Sequence, residues 1–407
     1  MYNSLMTRKV LGVFLTLMFL MTHGVTGSSA APIVPKCSKI GSTKSIKGFK
    51  YTCVKSGRTK VWGKPKKIVK KLTKSQIAIA PINPLPRTVV INSTPSSNSG
   101  SQDSAPVITF DNLDSTWTSK ISRNDLVTEF NKLSAPTDVV DIHSGPTVVS
   151  SDLNEEQRLL RIATRMFSGY FLPANYKAVF FSQNDGAWAE NVQATLGGSF
   201  PTSISTEISR WPDGCNFAFA TTGFGSIPMY YQCMDTRGRS IFDKQTAIHE
   251  YFHLVQQEYS INKMPCWMKE GSAIYFGAFL GIYDSDTSGD STKNFIKGLT
   301  FQYNPGGTYQ NPPNTRLIDK IQTNAGVVEV LTALESPTAE CLSLGAYSVG
   351  ATATDALIAA KGFTKYMQFV STFDTSADWK TDFATTYGLS PEAFYIKLAP
   401  YLRQRLS

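Results

Sequence analysis

The chain has 407 residues and four histidines, two of which stand in His249-Glu250-Tyr251-Phe252-His253. On an α-helix, residues four apart share a face, so both imidazoles can meet one ion while Glu250 projects beside the first. Neutral imidazole is a ready ligand for Zn2+, and a catalytic zinc keeps three protein ligands and one open position. The expected third ligand is Glu270, 17 residues after His253, in Trp267-Met268-Lys269-Glu270-Gly271-Ser272-Ala273. Asn262, Lys263 and Pro265 break the first helix, and a second one starting near Pro265 would return beside it. Gly271 and Ala273 are small and would let these two helices approach closely. Glu258 faces another side of the first helix, and Asp284 and Asp286 lie beyond the next apolar run. The bland alternative is a pair of core histidines on the apolar face of Ile248, Phe252 and Val255. It leaves Glu270 without a role.

The pair His-Glu-x-x-His and Trp-x-x-Glu-Gly-x-Ala-x-Tyr, within residues 249–275, resembles the gluzincin zinc metallopeptidases, a peptidase MA-like group. That resemblance implies a zincin-like fold: a small mixed sheet, the active-site helix and a helical C-terminal part. By position, His249, His253 and Glu270 would hold one Zn2+ and Glu250 would be the general base. The implied reaction is peptide hydrolysis, in which zinc lowers the pKa of a bound water and Glu250 takes its proton. A tyrosine after the metal helices supplies an oxyanion donor in related gluzincins, and Tyr347 in Gly345-Ala346-Tyr347-Ser348 is the residue expected here. His143 is a rival donor distant in sequence. The Gly-x-Met-Glu-Asn segment that captures a free N-terminus is absent, which points to an endopeptidase. Ile274 stands one turn after Glu270, where a second carboxylate is usual, so the outer partner of a ligand histidine must come from elsewhere. The polypeptide substrate would add as a strand to a sheet edge, for which the Cys215–Cys233 hairpin is the candidate.

The elements that must position these residues can be read in outline. Residues 155–171 show helical spacing, Tyr176–Ser182 reads as a buried strand, and Cys215–Thr222 and Ile227–Cys233 as two more. His143 falls in a loop-like segment. After Lys244 the pattern is helical, with helices at 348–361, 365–373 and 391–405, the last capped by Ser390 ahead of Pro391. Strands first and helices after suggest an α+β class. The domain comprises residues 107–407, behind a Pro- and Ser-rich linker at 73–106.

Ahead of the linker, residues 32–72 form a small basic unit bracketed by Cys37 and Cys53, with β-like stretches around Tyr51 and Val61. It resembles small Cys-containing modules of exported bacterial surface proteins. Residues 1–30 read as a signal peptide: Arg8 and Lys9, the apolar run Val10–Met21, then small residues at Gly27–Ala30, with His23 inside it. Export makes disulfides the default for the six cysteines, and proximity pairs Cys37 with Cys53, Cys215 with Cys233 and Cys266 with Cys341.

Charge separates the two parts. Up to Gln102 there are 17 basic and no acidic residues, leaving 23 basic and 31 acidic ones beyond. The basic unit therefore suits an anionic cell-envelope polymer and a secreted or cell-surface location. No recognition helix or stacking platform accompanies the lysines, so nucleic acid is not the expected partner. The rival to a peptidase is a zinc-containing surface-binding or adhesion protein without turnover. Retention of Glu250 beside an open coordination position speaks against it.

Overall fold

The structure is a computed structural model that describes residues 37–67 and 105–406, each with internal gaps. The expected signal peptide and nearly all of the linker lie outside the described residues. The chain forms two compact units, one within residues 23–80 and a larger one containing residues 81–407.

In the small unit, β1 (Thr43–Ile46), β2 (Phe49–Ser56), β3 (Thr59–Trp62) and β4 (Lys66–Lys67) form an antiparallel sheet with β2 bonded to the other three. Tyr51 and Val61 fall in β2 and β3, as expected. Cys53 in β2 is bonded to Cys37, 16 residues earlier. These two cysteines are the only buried side chains among those described in the unit. A unit this small cannot be held by its core. Closing a loop of this length stabilises the folded chain by about 3 kcal/mol on a chain-entropy argument.

The larger unit opens with α1 (Thr118–Lys132), which turns Leu126, Val127 and Phe130 inward. Next come β5 (Val140–Ser144), α2 (Ser150–Met166) and β6 (Tyr176–Phe181). They are followed by α3 (Gly186–Leu196), α4 (Ile204–Ser209), β7 (Phe217–Thr221) and β8 (Met229–Cys233). The sheet order is β5-β6-β8-β7; the first three strands are parallel and β7 is an antiparallel edge. Parallel neighbours need crossover connections, and crossover helices bury both faces. Alternate residues show this: Tyr176, Ala178, Phe180, Ala218 and Ala220 join the main core. Val179, Phe181, Phe217 and Tyr231 join a second core with Ala189 of α3 and Ile204 of α4.

The molecule is thus mixed α and β, compatible with α+β. Within residues 140–233, however, helices interleave with strands instead of following them. His143 lies on β5, not in a loop, at the sheet edge opposite β7, with Nε2 3.2 Å from Asp141 Oδ1. Val-Asp-Ile-His-Ser is too short and too polar for its alternation to stand out.

From residue 241 the described chain is helical. A 3-10 turn (Ile241–Gln245) leads into α5 (Thr246–Glu258). A second 3-10 turn (Ile261–Lys263) precedes α6 (Cys266–Gly277), which runs on into a π-helical turn (Ala278–Ile282). Then follow α7 (Asp290–Thr300), α8 (Leu317–Lys320), α9 (Asn324–Ala333), α10 (Ala346–Lys361), α11 (Phe363–Thr372), α12 (Trp379–Tyr387) and α13 (Pro391–Leu406). The three helices predicted beyond residue 345 match α10, α11 and α13 within two residues. Ser390 Oγ accepts from Ala393 N–H at 3.2 Å, the expected cap.

One close helix crossing is α6 on α10. A Cβ on Gly271 would sit 2.2 Å from the Gly350 carbonyl carbon, and one on Gly350 2.0 Å from Trp267 O. Gly271 therefore makes room for α10, not for the histidine helix. Beyond this crossing, the buried Asp355 of α10 accepts from Ser119 Oγ and Tyr401 Oη at 2.6 Å and from Ser122 Oγ. One carboxylate thus ties α1, α10 and α13 together.

Gly271→Ala tests the crossing. Alanine gains up to about 1 kcal/mol of helix propensity over glycine. The new methyl, however, meets backbone that cannot rotate away, and overpacking of this kind costs about 1–3 kcal/mol or more. The expected outcome is a net loss of about 2 kcal/mol, read as a lower urea midpoint of the full chain. An unchanged or raised midpoint would contradict the crossing.

Candidate metal centre

The two helices that carry the motif lie inside the protein. Every residue of α5 from Thr246 to Gln256 is buried, as is every residue of α6. Between them Ser260 adopts the left-handed conformation at φ 66°. Lys263 then donates to Phe373 O at 3.2 Å, fixing the turn to the end of α11. Pro265 is the N-cap of α6, so the break falls where Asn262–Pro265 predicted it. Polar side chains in so dry an interface need partners, and here they converge.

His253 Nε2 lies 3.0 Å from His249 Nε2 and 3.4 Å from Glu270 Oε2, and His249 Nε2 lies 3.8 Å from the same oxygen. Two nitrogens and an oxygen bound tetrahedrally to one Zn2+ at about 2.0–2.1 Å would stand about 3.3 Å apart. The donor set fits a metal ion of that size. Among the described residues it is the group of at least three histidine, cysteine or carboxylate ligands so placed. Glu258 is half-buried at the end of α5 and His143 is on β5; neither joins it. Asp284 and Asp286 lie outside the described residues.

Electrostatics separates the two histidines. Burial pulls the His249 imidazolium down to about 3, helped by its neighbour His253. Burial opposes a charge on His253 as well, but the Glu270 carboxylate outweighs it and holds that ring at about 9. Burial pushes Glu270 up, and the positive His253, with His249 and Lys269, brings it down to about 2. Without a metal, the centre is an imidazolium–carboxylate pair beside a neutral imidazole.

Glu250 points elsewhere on α5. Burial raises it to about 7, against the charge on His253 and the Ala220 N–H on β7, which bonds to it; both work in the opposite direction. A carboxyl of that strength is suited to taking and returning a proton near neutrality. In an antiparallel pair, alternate residues turn both N–H and C=O away from the partner strand. Ala220 faces away from β8, so Glu250 abuts the edge that β7 forms among the described strands.

Tyr347 is also brought to the centre: its buried ring stacks on His249 at 6.0 Å between centroids and 29° between planes. Gly345, at φ 74°, caps α10 just before it, and a Cβ there would strike Leu317. The Cys266–Cys341 bridge ties the approach to α10 to the first residue of α6. The Cys37–Cys53 and Cys215–Cys233 bridges complete the expected pairing. Three disulfides point to an oxidising, extracytoplasmic setting. No helix among the described residues is long and apolar enough to cross a membrane.

Sequence reasoning missed Gln256. Its Oε1 lies 2.8 Å from His253 Nδ1, and its Nε2 donates to Lys269 O at 2.8 Å and Ser272 Oγ at 3.0 Å. The signal was there, a polar residue three after His253 on the inward face of α5, where the sequence pattern said only that the partner must come from elsewhere than Ile274. Comparison of the chain with family models, curated proteins and solved structures finds no match.

Because His253 keeps its proton up to about pH 9 in the metal-free chain, a cation must displace it. Each Zn2+ bound at pH 7 should therefore release about one proton, and affinity should tighten about tenfold per pH unit towards pH 9. Titration calorimetry in buffers of differing ionisation enthalpy reads both quantities. A pH-independent affinity would contradict the assigned pair.

Proposed function

We propose that this chain is an exported zinc-dependent peptidase, acting within polypeptides, with His249, His253 and Glu270 as ligands and Glu250 as general base. The observation that carries the reading is the convergence of three buried donor atoms beside a carboxyl that abuts the edge strand among those described. Zinc held there supplies Lewis acidity towards a peptide carbonyl and makes water easier to deprotonate.

The chain's own groups do the rest. A substrate segment adds along the outer edge of β7, and its carbonyl is carried past Glu250. Glu250 takes the proton of the attacking water and returns it to the leaving amine. Tyr347, packed on His249, donates to the oxygen that becomes negative. The signal-peptide-like pattern of residues 1–30 and the three disulfides support action outside the cytoplasm.

The small unit fits an anionic envelope polymer as anchor. Lys55 and Lys60, both exposed, face one another across β2 and β3. Like charges so placed destabilise a sheet unless an anion lies between them.

Glu250→Gln at equal zinc loading should abolish hydrolysis of a peptide library that the wild type cleaves. Tyr347→Phe should slow turnover about 100-fold or more with zinc content unchanged. Wild-type chain without peptidase activity at full zinc occupancy would leave the site a binding site only. For the anchor, the full chain should bind poly(glycerol phosphate) at low salt and release it near 1 M, where the Debye length is about 3 Å. The double variant Lys55→Gln, Lys60→Gln should bind less and cleave peptides as before. Equal binding by that variant would remove these lysines from the anchor.

A further inference from the structure

We infer that Gln256 is a positioning residue for the metal centre, setting the tautomer and rotation of His253 and coupling that ring to the helix bearing Glu270. The inference rests on the reading of His249, His253 and Glu270 as ligands.

The orientation of the amide is determined by its surroundings. Gln256 is wholly buried. One end of it faces Lys269 O at 2.8 Å, Met268 O at 3.4 Å and Ser272 Oγ at 3.0 Å. The two carbonyls can only accept. Ser272 engages its own proton with Met268 O at 2.5 Å, so towards Gln256 it too is an acceptor. That end of the amide must therefore be the NH2 group.

The consequence reaches the metal centre. The other end is the oxygen, an acceptor only, and it stands 2.8 Å from His253 Nδ1. Nδ1 must then carry hydrogen. In the neutral ring this leaves Nε2 with a free lone pair, aimed at the point shared with His249 Nε2 and Glu270 Oε2. A ligand imidazole needs that tautomer, and the residue that donates or accepts at the far nitrogen decides it.

The two histidines are held by different means. His249 Nδ1 makes no hydrogen bond among the described residues, and its ring is held by Tyr347 instead. Gln256 thus acts on one ligand of the three. The atoms that fix its amide belong to Met268, Lys269 and Ser272, which flank Glu270, so the ring and the carboxylate are set in one frame.

The test uses the full chain. In zinc-loaded wild type, nitrogen-15 spectra of the imidazoles should show the remaining ring proton of His253 on Nδ1; a proton on Nε2 would overturn the inference. Gln256→Leu should weaken Zn2+ affinity, measured by chelator competition, about 10–100-fold. It should also alter the visible spectrum of the Co2+ form. Gln256→Glu keeps an acceptor for Nδ1–H but loses the donors to α6. It should melt lower yet bind Zn2+ within a few-fold of wild type. Were Gln256 only a clasp between helices, both variants would melt lower and bind Zn2+ as tightly as wild type. That result, or a large loss of affinity in Gln256→Glu, would overturn the assignment. Failure of wild type itself to bind Zn2+ through these residues would instead overturn the reading of the site.

Discussion

Three donor atoms held 3.0–3.8 Å apart and almost out of water are the constraint on which the C-terminal half depends. Lone pairs crowded towards one point repel one another unless a cation or a proton lies among them, and burial removes the water that would soften that repulsion. Something must hold the two ligand-bearing helices together against it. Here α10 presses on α6 through paired glycines, a disulfide joins α6 to the approach of α10, and one glutamine amide spans the gap between α5 and α6. Each acts at the end or the middle of the segment that bears Glu270.

The same environment gives like side chains different chemistry. His249 and His253 are one helical turn apart, yet the first is kept neutral by burial and the second charged by its carboxylate neighbour. Glu250 and Glu270 diverge as strongly, to about 7 and about 2, because burial prevails at the first while the cations beside the second outweigh it. The two carboxyls are thus distinguished by their surroundings, and their acidities separate along α5 and α6 without any change of residue type.

How much of this could be read beforehand follows from the range of the interactions involved. His249, Glu250 and His253 are linked by helical periodicity alone, and Glu270 by one turn between two helices, so local pattern sufficed. The cysteine pairs followed from proximity, and the final helices from caps and spacing. Gly271 was recognised as small, but its partner Gly350 lies far along the chain, and no local pattern says which helix will cross there. β5 escaped because its core contacts come from parallel pairing with β6, a long-range relation that a five-residue segment does not advertise. Gln256 was overlooked for a different reason: an amide reveals its role only when the groups at both of its ends are known.

The edge strand carries one more lesson, about what a slip of pairing would do. Along β7 bulk alternates: Phe217 and Phe219 pack to one side of the sheet, while Ala218 and Ala220 pack to the other, in the core shared with α5. Displacing the strand by a single position would drive benzyl groups into the helix that holds the histidines. The bridge between Cys215 and Cys233 spans the hairpin at the end where Phe217 pairs with Cys233, leaving little slack for such a displacement. A covalent link outside the donor group thereby serves as an alignment pin for the strand that packs on α5.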